Sequence, residues 1–290
     1  MVKTIAITSA KGGVGKSTCT VEIANALRNI TNKRVLVIDL DENSTLSDNI
    51  GADISAPNTI YEVLTGACSI NDAVQHHKLF DIIPGSKSLS KASVEFTERE
   101  DVYLLSDVIE FIKDDYDFIF VDNAPSRSVL LTMTIIAADY IIIPTMSDEG
   151  SMKMVDEMEK DISKLVNSRN HESHAEVIGY ILNFYKRSNM YDLALNRLQE
   201  HINDHDEPKP FIAIVKELII ASEVKTFKTA ICEDYKSSPL GRSFYDIANT
   251  IVKGQKTDSG SDPYWDDMAE MLLKALIYYS DYLKIRLILI

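Results

Sequence analysis

Eight residues near the N-terminus, Lys11–Thr18 (KGGVGKST), constrain this chain more than any other part of its 290 positions. Before them runs an apolar segment, Lys3–Thr8 (KTIAIT), which reads as a buried strand. After them Val21, Ile23, Ala24 and Leu27 recur on one face, which predicts a helix from Ser17 to about Asn29. The glycines therefore occupy a strand–loop–helix turn. Gly12, Gly13 and Gly15 carry no Cβ, so the main-chain N–H groups around Val14 can close on phosphate oxygens. The start of the helix adds its partial positive charge. Lys16 can reach β- and γ-phosphates, the Ser17 hydroxyl can ligate Mg²⁺, and Thr18 completes the turn into the helix. Together these features imply ATP and Mg²⁺ as ligands.

The rest of the chain repeats that rhythm. Arg34–Ile38, Phe80–Ile83, Phe118–Val121, Tyr140–Ile143 and Val177–Leu182 are further near-continuous apolar runs, as parallel strands buried on both faces should be. Helical patterns lie around and between them at 59–65, 87–97, 102–113, 127–137, 149–167, 189–203 and 239–253. The alternation predicts an α/β fold, a mainly parallel sheet with helices on both faces. No internal repeat is found. Residues 1–253 read as one ATPase domain, Gly254–Pro263 (GQKTDSGSDP) as a linker, and residues 264–290 as a C-terminal helix. Apolar residues make up 45% of the chain, enough to build a core. No 18-residue stretch is free of charge, which predicts no membrane-spanning helix. The first nine residues lead straight into the glycine loop, so no signal peptide is expected. Cys19, Cys68 and Cys232 are sparse and form no CxxC; with the missing leader this points to the cytoplasm.

Acidic side chains stand where the strands end. Asp39 closes the second strand beside the loop, where a carboxylate can hold a Mg²⁺-bound water. Asp41, two residues on, leaves on the same side. Asp122 follows Phe118–Val121 and fits a Walker B aspartate near the Mg²⁺ shell. The ordinary Walker A pattern GxxxxGK[ST] is not met, because its first glycine falls at Ala10. The pattern that is met, KGGxGK[ST], carries a second lysine, Lys11.

These residues resemble the ParA/MinD family of deviant Walker A ATPases, within the P-loop NTPases. Besides KGGVGKST, the resemblance covers Val37–Asp41 (VIDLD), Tyr116–Pro125 (YDFIFVDNAP) and Ala137–Thr145 (AADYIIIPT). Thr59–Leu64 and Ser237–Ile251 look more like the ParA branch than MinD. The resemblance spans roughly residues 1–253. It implies that Asp41 positions the attacking water, and that Lys11 crosses a dimer interface to the partner's phosphates like an arginine finger. Lys11, Lys16 and Asp41 are thus the expected catalytic residues, and Ser17, Asp39 and Asp122 the metal set. Asn183, at the end of the 177–182 run, looks like the family's adenine-contacting position; a plain turn asparagine is the other reading. The family's DxDPQ is here Asp41-Glu42-Asn43, which keeps both aspartates but loses the proline and glutamine, putting hydrolysis rate and coupling in doubt. The family's basic residue near a switch helix corresponds to Lys216 within Val215–Glu223. There is no helix-turn-helix ahead of the first strand, so self-repression by operator binding is not expected.

By resemblance the chain is expected to partition or position plasmid or mobile-element DNA as a homodimer in ATP, with a centromere-binding partner and non-specific DNA contacts near the nucleoid. The candidate DNA face is Lys186, Arg187, Arg197, Lys225, Lys228, Lys236 and Arg242. A net charge of −14, and ten basic against ten acidic residues in 180–253, set a solvated mixed surface beside that reading. The alternative function is a MinD-like membrane-cycling regulator. Residues 264–290 carry a wide apolar stripe: Met268, Met271, Leu272, Ala275, Leu276, Tyr279, Leu283 and Leu287. Their polar face lacks a basic cluster, so a protein contact is expected rather than a membrane anchor. Ser261–Tyr279 resembles a short segment of conjugative coupling ATPases, without that family's own phosphate loop.

Overall fold

The computed structural model describes residues 2–168, 172–185, 188–205, 208–216 and 224–254. It divides into two units, residues 1–247 and 248–290. The linker beyond Gly254 and the expected tail helix lie outside the described residues. The strands are β1 (Lys3–Ile7), β2 (Val35–Leu40), β3 (Asp81–Ile83), β4 (Phe118–Asn123), β5 (Tyr140–Thr145), β6 (Glu176–Tyr185) and β7 (Phe211–Lys216). They form one sheet in the order β3-β2-β4-β1-β5-β6-β7, in which neighbouring strands run parallel. A parallel pair cannot be closed by a tight hairpin, so each step needs a crossover. The crossovers carry α1 (Lys16–Thr31), α2 (Thr45–Ile50), α3 (Ile60–Leu64), α4 (Ile70–Ala73), α5 (Ala92–Glu95), α6 (Leu104–Glu110), α7 (Val129–Ala137), α8 (Glu149–Val166) and α9 (Asn189–Asn203). A short helix, Ile231–Asp234, and a long one, Pro239–Gly254, follow.

Side-chain alternation along the strands decides what each face meets. Leu36, Ile38, Ile119 and Val121 pack with α3, α6 and α7 side chains such as Val63, Leu105 and Met133. Ala6, Ile141, Ile143, Tyr180 and Leu182 pack with Met152, Val155 and Met158 of α8 and Leu198 of α9. The register places these strand residues on one face. Ile5, Ile7, Val37 and Phe120 take the opposite face, and all are completely buried. The helix that crosses β1, β2 and β4 there is α1. Asp39 and Asp122 belong to this second set, directly opposite each other on β2 and β4. The fold thus aims two carboxylates at the helix that follows the glycine loop.

All six expected strands are present, and the sheet is more uniformly parallel than expected. The strand missed in sequence is β7. It follows Pro208 and Pro210, which read as a turn, and it lies at the sheet edge with only Val215 buried. The 87–97 and 102–113 helices are broken by 3₁₀ turns at Lys87–Lys91 and Arg99–Tyr103. Helices α2, α4 and Ile231–Asp234 have six residues or fewer, too short to show a helical period.

Candidate functional site

The carboxyl ends of parallel strands are where open α/β sheets bind ligands. At that end the residues after β1 turn into α1. Gly13 and Gly15 have φ of 75° and 90°, the left-handed region that costs other residues roughly 1–2 kcal/mol. Gly15 also has no room: a Cβ there would stand 2.8 Å from Asn183 Nδ2. Lys16 opens α1 and is buried. Its Nζ donates to the Lys11 carbonyl at 3.2 Å, so the ammonium spans the loop it closes. Burial lowers its pKa, while Asp122 and Asp41 work to raise it.

Behind the loop stand the carboxylates. Asp122 is fully buried. One of its oxygens accepts the Thr20 hydroxyl at 3.4 Å, and the other, Oδ2, has no partner. Burial and then the Asp39 charge push its carboxyl up to about 8, against the pull of Ser17 and Lys16. Burial likewise raises Asp39 to about 6, although it accepts Ser47 Oγ at 2.7 Å, Ser47 N at 3.0 Å and Asp41 N at 3.1 Å. Asp41 accepts Asn43 N and Nδ2 at 2.9 and 3.0 Å and lines the open cleft. Two facing carboxylates, one orphaned oxygen and a serine hydroxyl form a hard oxygen set that fits Mg²⁺. Among the described residues no three His, Cys, Asp or Glu side chains form a cage for a metal. Mg²⁺ at a phosphate site does not need one, because waters and phosphate oxygens fill most of its octahedron.

The cleft, of about 380 Å³, is lined by Lys16, Ser17 and Asp41 and by Phe184, Leu240 and Phe244. Its lining mixes charged groups, Lys216 and Lys225 among them, with the apolar Phe184, Leu240 and Phe244. Asn183, expected at the base, lines the cleft, but its Nδ2 donates to the Val14 carbonyl at 2.7 Å and Cys19 Sγ at 3.3 Å. Its amide nitrogen braces the phosphate loop. Phe184 beside it, with φ of 57° and 37% exposed, is one of the cleft residues that the sequence did not point to.

Lys11 sits apart from this acidic group. Its Nζ donates to Asp148 Oδ1 at 2.5 Å and to Ser151 Oγ at 2.7 Å. Asp148 is the N-cap of α8, accepting Ser151 N at 3.0 Å. Partial burial works against the Asp148 charge, yet Lys11 and Ser151 hold its carboxyl down at about 2. The loop's two lysines therefore have different tasks: Lys16 stays in its own loop, and Lys11 is parked on a neighbouring helix.

The candidate DNA cations separate in the same way. Lys225 lines the same cleft, with Lys216. Lys228 pairs with Asp48 at 2.8 Å, and Arg197 pairs with Asp156. Lys186 and Arg187 lie outside the described residues, as does Glu223. Lys236 and Arg242 are exposed.

The chain matches the AAA domain family AAA_31 over residues 2–174. It is 26% identical over 263 residues to the chromosome partitioning protein ParA of Caulobacter vibrioides, covering 88% of this chain and 96% of that one. It is 28% identical over 259 residues to the chromosome-partitioning ATPase Soj of Treponema pallidum, covering 87% and 98%. A cobyrinic acid a,c-diamide synthase from Mycobacterium smegmatis, solved with ADP and magnesium, shares the fold at a TM-score of 0.71 and 20% identity, covering 90% of this chain and 98% of that one.

Proposed function

Because the chain belongs to the AAA_31 family, among ATPases of the ParA/Soj kind, we propose that it binds Mg-ATP in the cleft above Lys16 and hydrolyses it as an ATP-bound homodimer. The observation that carries this is the pairing of Asp39 with Asp122 across β2 and β4, with Asp122 Oδ2 left unpartnered beside the phosphate loop. Nature rarely buries an unpaired carboxylate oxygen unless a ligand completes it.

In this reading Gly12, Gly13, Val14 and Gly15 offer main-chain N–H groups to the phosphates, and Lys16 neutralises the β- and γ-oxygens. Thr18, at the start of α1, holds the α-phosphate end of the cradle. Ser17, Asp39 and Asp122 hold the magnesium, directly or through water. When bound there, Mg²⁺ would supply neutralising charge for the phosphate oxygens. Asp41, at the mouth of the cleft, orients the attacking water. Asn183 keeps the loop in shape and bounds the base end. Lys11 leaves Asp148 and Ser151 to reach the phosphates of a second copy, which makes turnover depend on dimerisation.

The cargo in this reading is plasmid or mobile-element DNA, with a centromere-binding protein to stimulate hydrolysis; the likeness to partition ATPases supports it. The paired state of Lys228 and Arg197 makes any DNA contact weaker than a basic relative's, and steeply dependent on salt. The test is the ATPase rate alone, with DNA, and with DNA plus the product of the neighbouring gene. A rise only when both are present supports partition. No DNA retention at low salt in ATP removes the DNA reading.

A further inference from the structure

Glu22 lies on α1, 1% exposed, and takes no part in the chemistry above. A charged carboxylate at such depth is costly unless it is well satisfied. Burial pushes its carboxyl up to about 7, against the pull of the two amides it binds. Those amides come from 209 and 210 positions along the chain: Oε1 accepts Ile231 N at 2.8 Å, and Oε2 accepts Cys232 N at 2.8 Å. Ile231 and Cys232 are themselves fully buried, so without Glu22 both N–H groups lose their partner. The N-cap of their helix, Ala230, has no side chain able to replace it.

The same stretch is tied to α1 and to the last helix at further points. Asn25 and Asn29 of α1 both donate to Glu233 Oε2 at 3.4 Å. The Tyr245 hydroxyl donates to the Cys232 carbonyl at 3.2 Å, and Cys232 Sγ to the Gly241 carbonyl at 3.8 Å. The connecting turn has no slack, because a Cβ at Gly241 would come within 2.6 Å of the Tyr235 carbonyl. Immediately beside Gly241, Leu240 lines the cleft, as do Phe244 one turn on and Thr18 and Cys19 of α1.

We propose that Glu22 is a positioning residue for the nucleotide: by holding Ile231 and Cys232 it fixes the Leu240–Phe244 wall of the cleft, and so sets nucleotide affinity without touching the reaction. This rests on the ATP-binding reading above. It differs from a purely structural role in what it changes. Loss of Glu22 acts on binding of ATP and ADP alike and leaves the phosphate-end chemistry in place.

The test uses the full chain with Mg-ATP for steady-state rates and Mg-ADP for calorimetry. In Glu22→Gln one carbonyl oxygen still accepts an N–H, but the amide nitrogen now faces the other. KM for ATP and Kd for ADP should rise about tenfold, with kcat within about twofold. Tyr245→Phe loosens the same stretch by removing one hydroxyl and should raise both by about twofold. Unchanged ADP affinity in Glu22→Gln, or a fall in kcat at constant KM, overturns the proposal. If Glu22→Gln does not fold, Tyr245→Phe decides, and unchanged ADP affinity there overturns it too. A wild-type chain that binds neither nucleotide refutes the ATPase reading instead, so the two failures are distinct.

Discussion

The two ends of the proposed nucleotide cleft are built by different means. The phosphate end is assembled from short contiguous stretches: the glycine loop, the last residues of β2 and the last residues of β4. Its recognition elements are main-chain N–H groups and a few carboxylates whose spacing the strands dictate. The base end collects Asn183, Phe184, Lys216, Lys225, Leu240 and Phe244 from four separate stretches. Only packing brings them together. A local site fails sharply when one group is lost, whereas a site spread over many separate contacts fails by degrees.

Substitutions at the two ends should show that difference. The largest effect is expected at Lys11. If it acts across the dimer like an arginine finger, Lys11→Ala should lower stimulated turnover by about 10⁴-fold, read as phosphate release at saturating ATP. A drop below tenfold would place Lys11 outside the reaction. Asp41→Ala should follow, with turnover down about 10³-fold and ATP binding retained, because the water is no longer oriented while the cradle stays intact. Equal loss of binding and turnover there would make Asp41 a binding residue instead. Lys16→Ala should weaken ATP binding about a hundredfold without unfolding the chain, since it removes a charged contact to the phosphates and not a core side chain. Calorimetry beside a thermal melt separates the two. At the other end Leu240→Ala should raise KM for ATP by only about fivefold at nearly constant kcat, because one apolar contact among several is lost. A hundredfold effect at Leu240 would erase the contrast.

The same contrast explains what the sequence revealed. The loop, Asp39, Asp41 and Asp122 were legible because backbone geometry alone places residues that lie next to a strand end. Their neighbours were not. Ser47 binds Asp39 from a six-residue helix, and Thr20 reaches Asp122 from inside α1; neither has a pattern of its own. Asp148 and Ser151 hold Lys11 from 137 and 140 positions away, a distance that no local pattern spans. Asn183 was found by resemblance to a family motif, but the structure shows its amide nitrogen on the phosphate loop. Phe184, in a left-handed conformation unusual for a bulky side chain, gives no sign of that in sequence. Glu22 reads as an ordinary helix-face charge until its two distant amide partners are seen. The parallel sheet was legible from apolar runs, and β7 escaped because an edge strand after two prolines looks like a turn.

In the proposed cycle Lys11 exchanges its hold on α8 for a second copy's phosphates when ATP is bound. Sedimentation of the Asp41→Ala chain in Mg-ATP, beside the Lys11→Ala, Asp41→Ala double variant, tests it most directly. The first should be a dimer and the second a monomer, with ATP bound to both. The same mass for both variants, whether monomer or dimer, would contradict it.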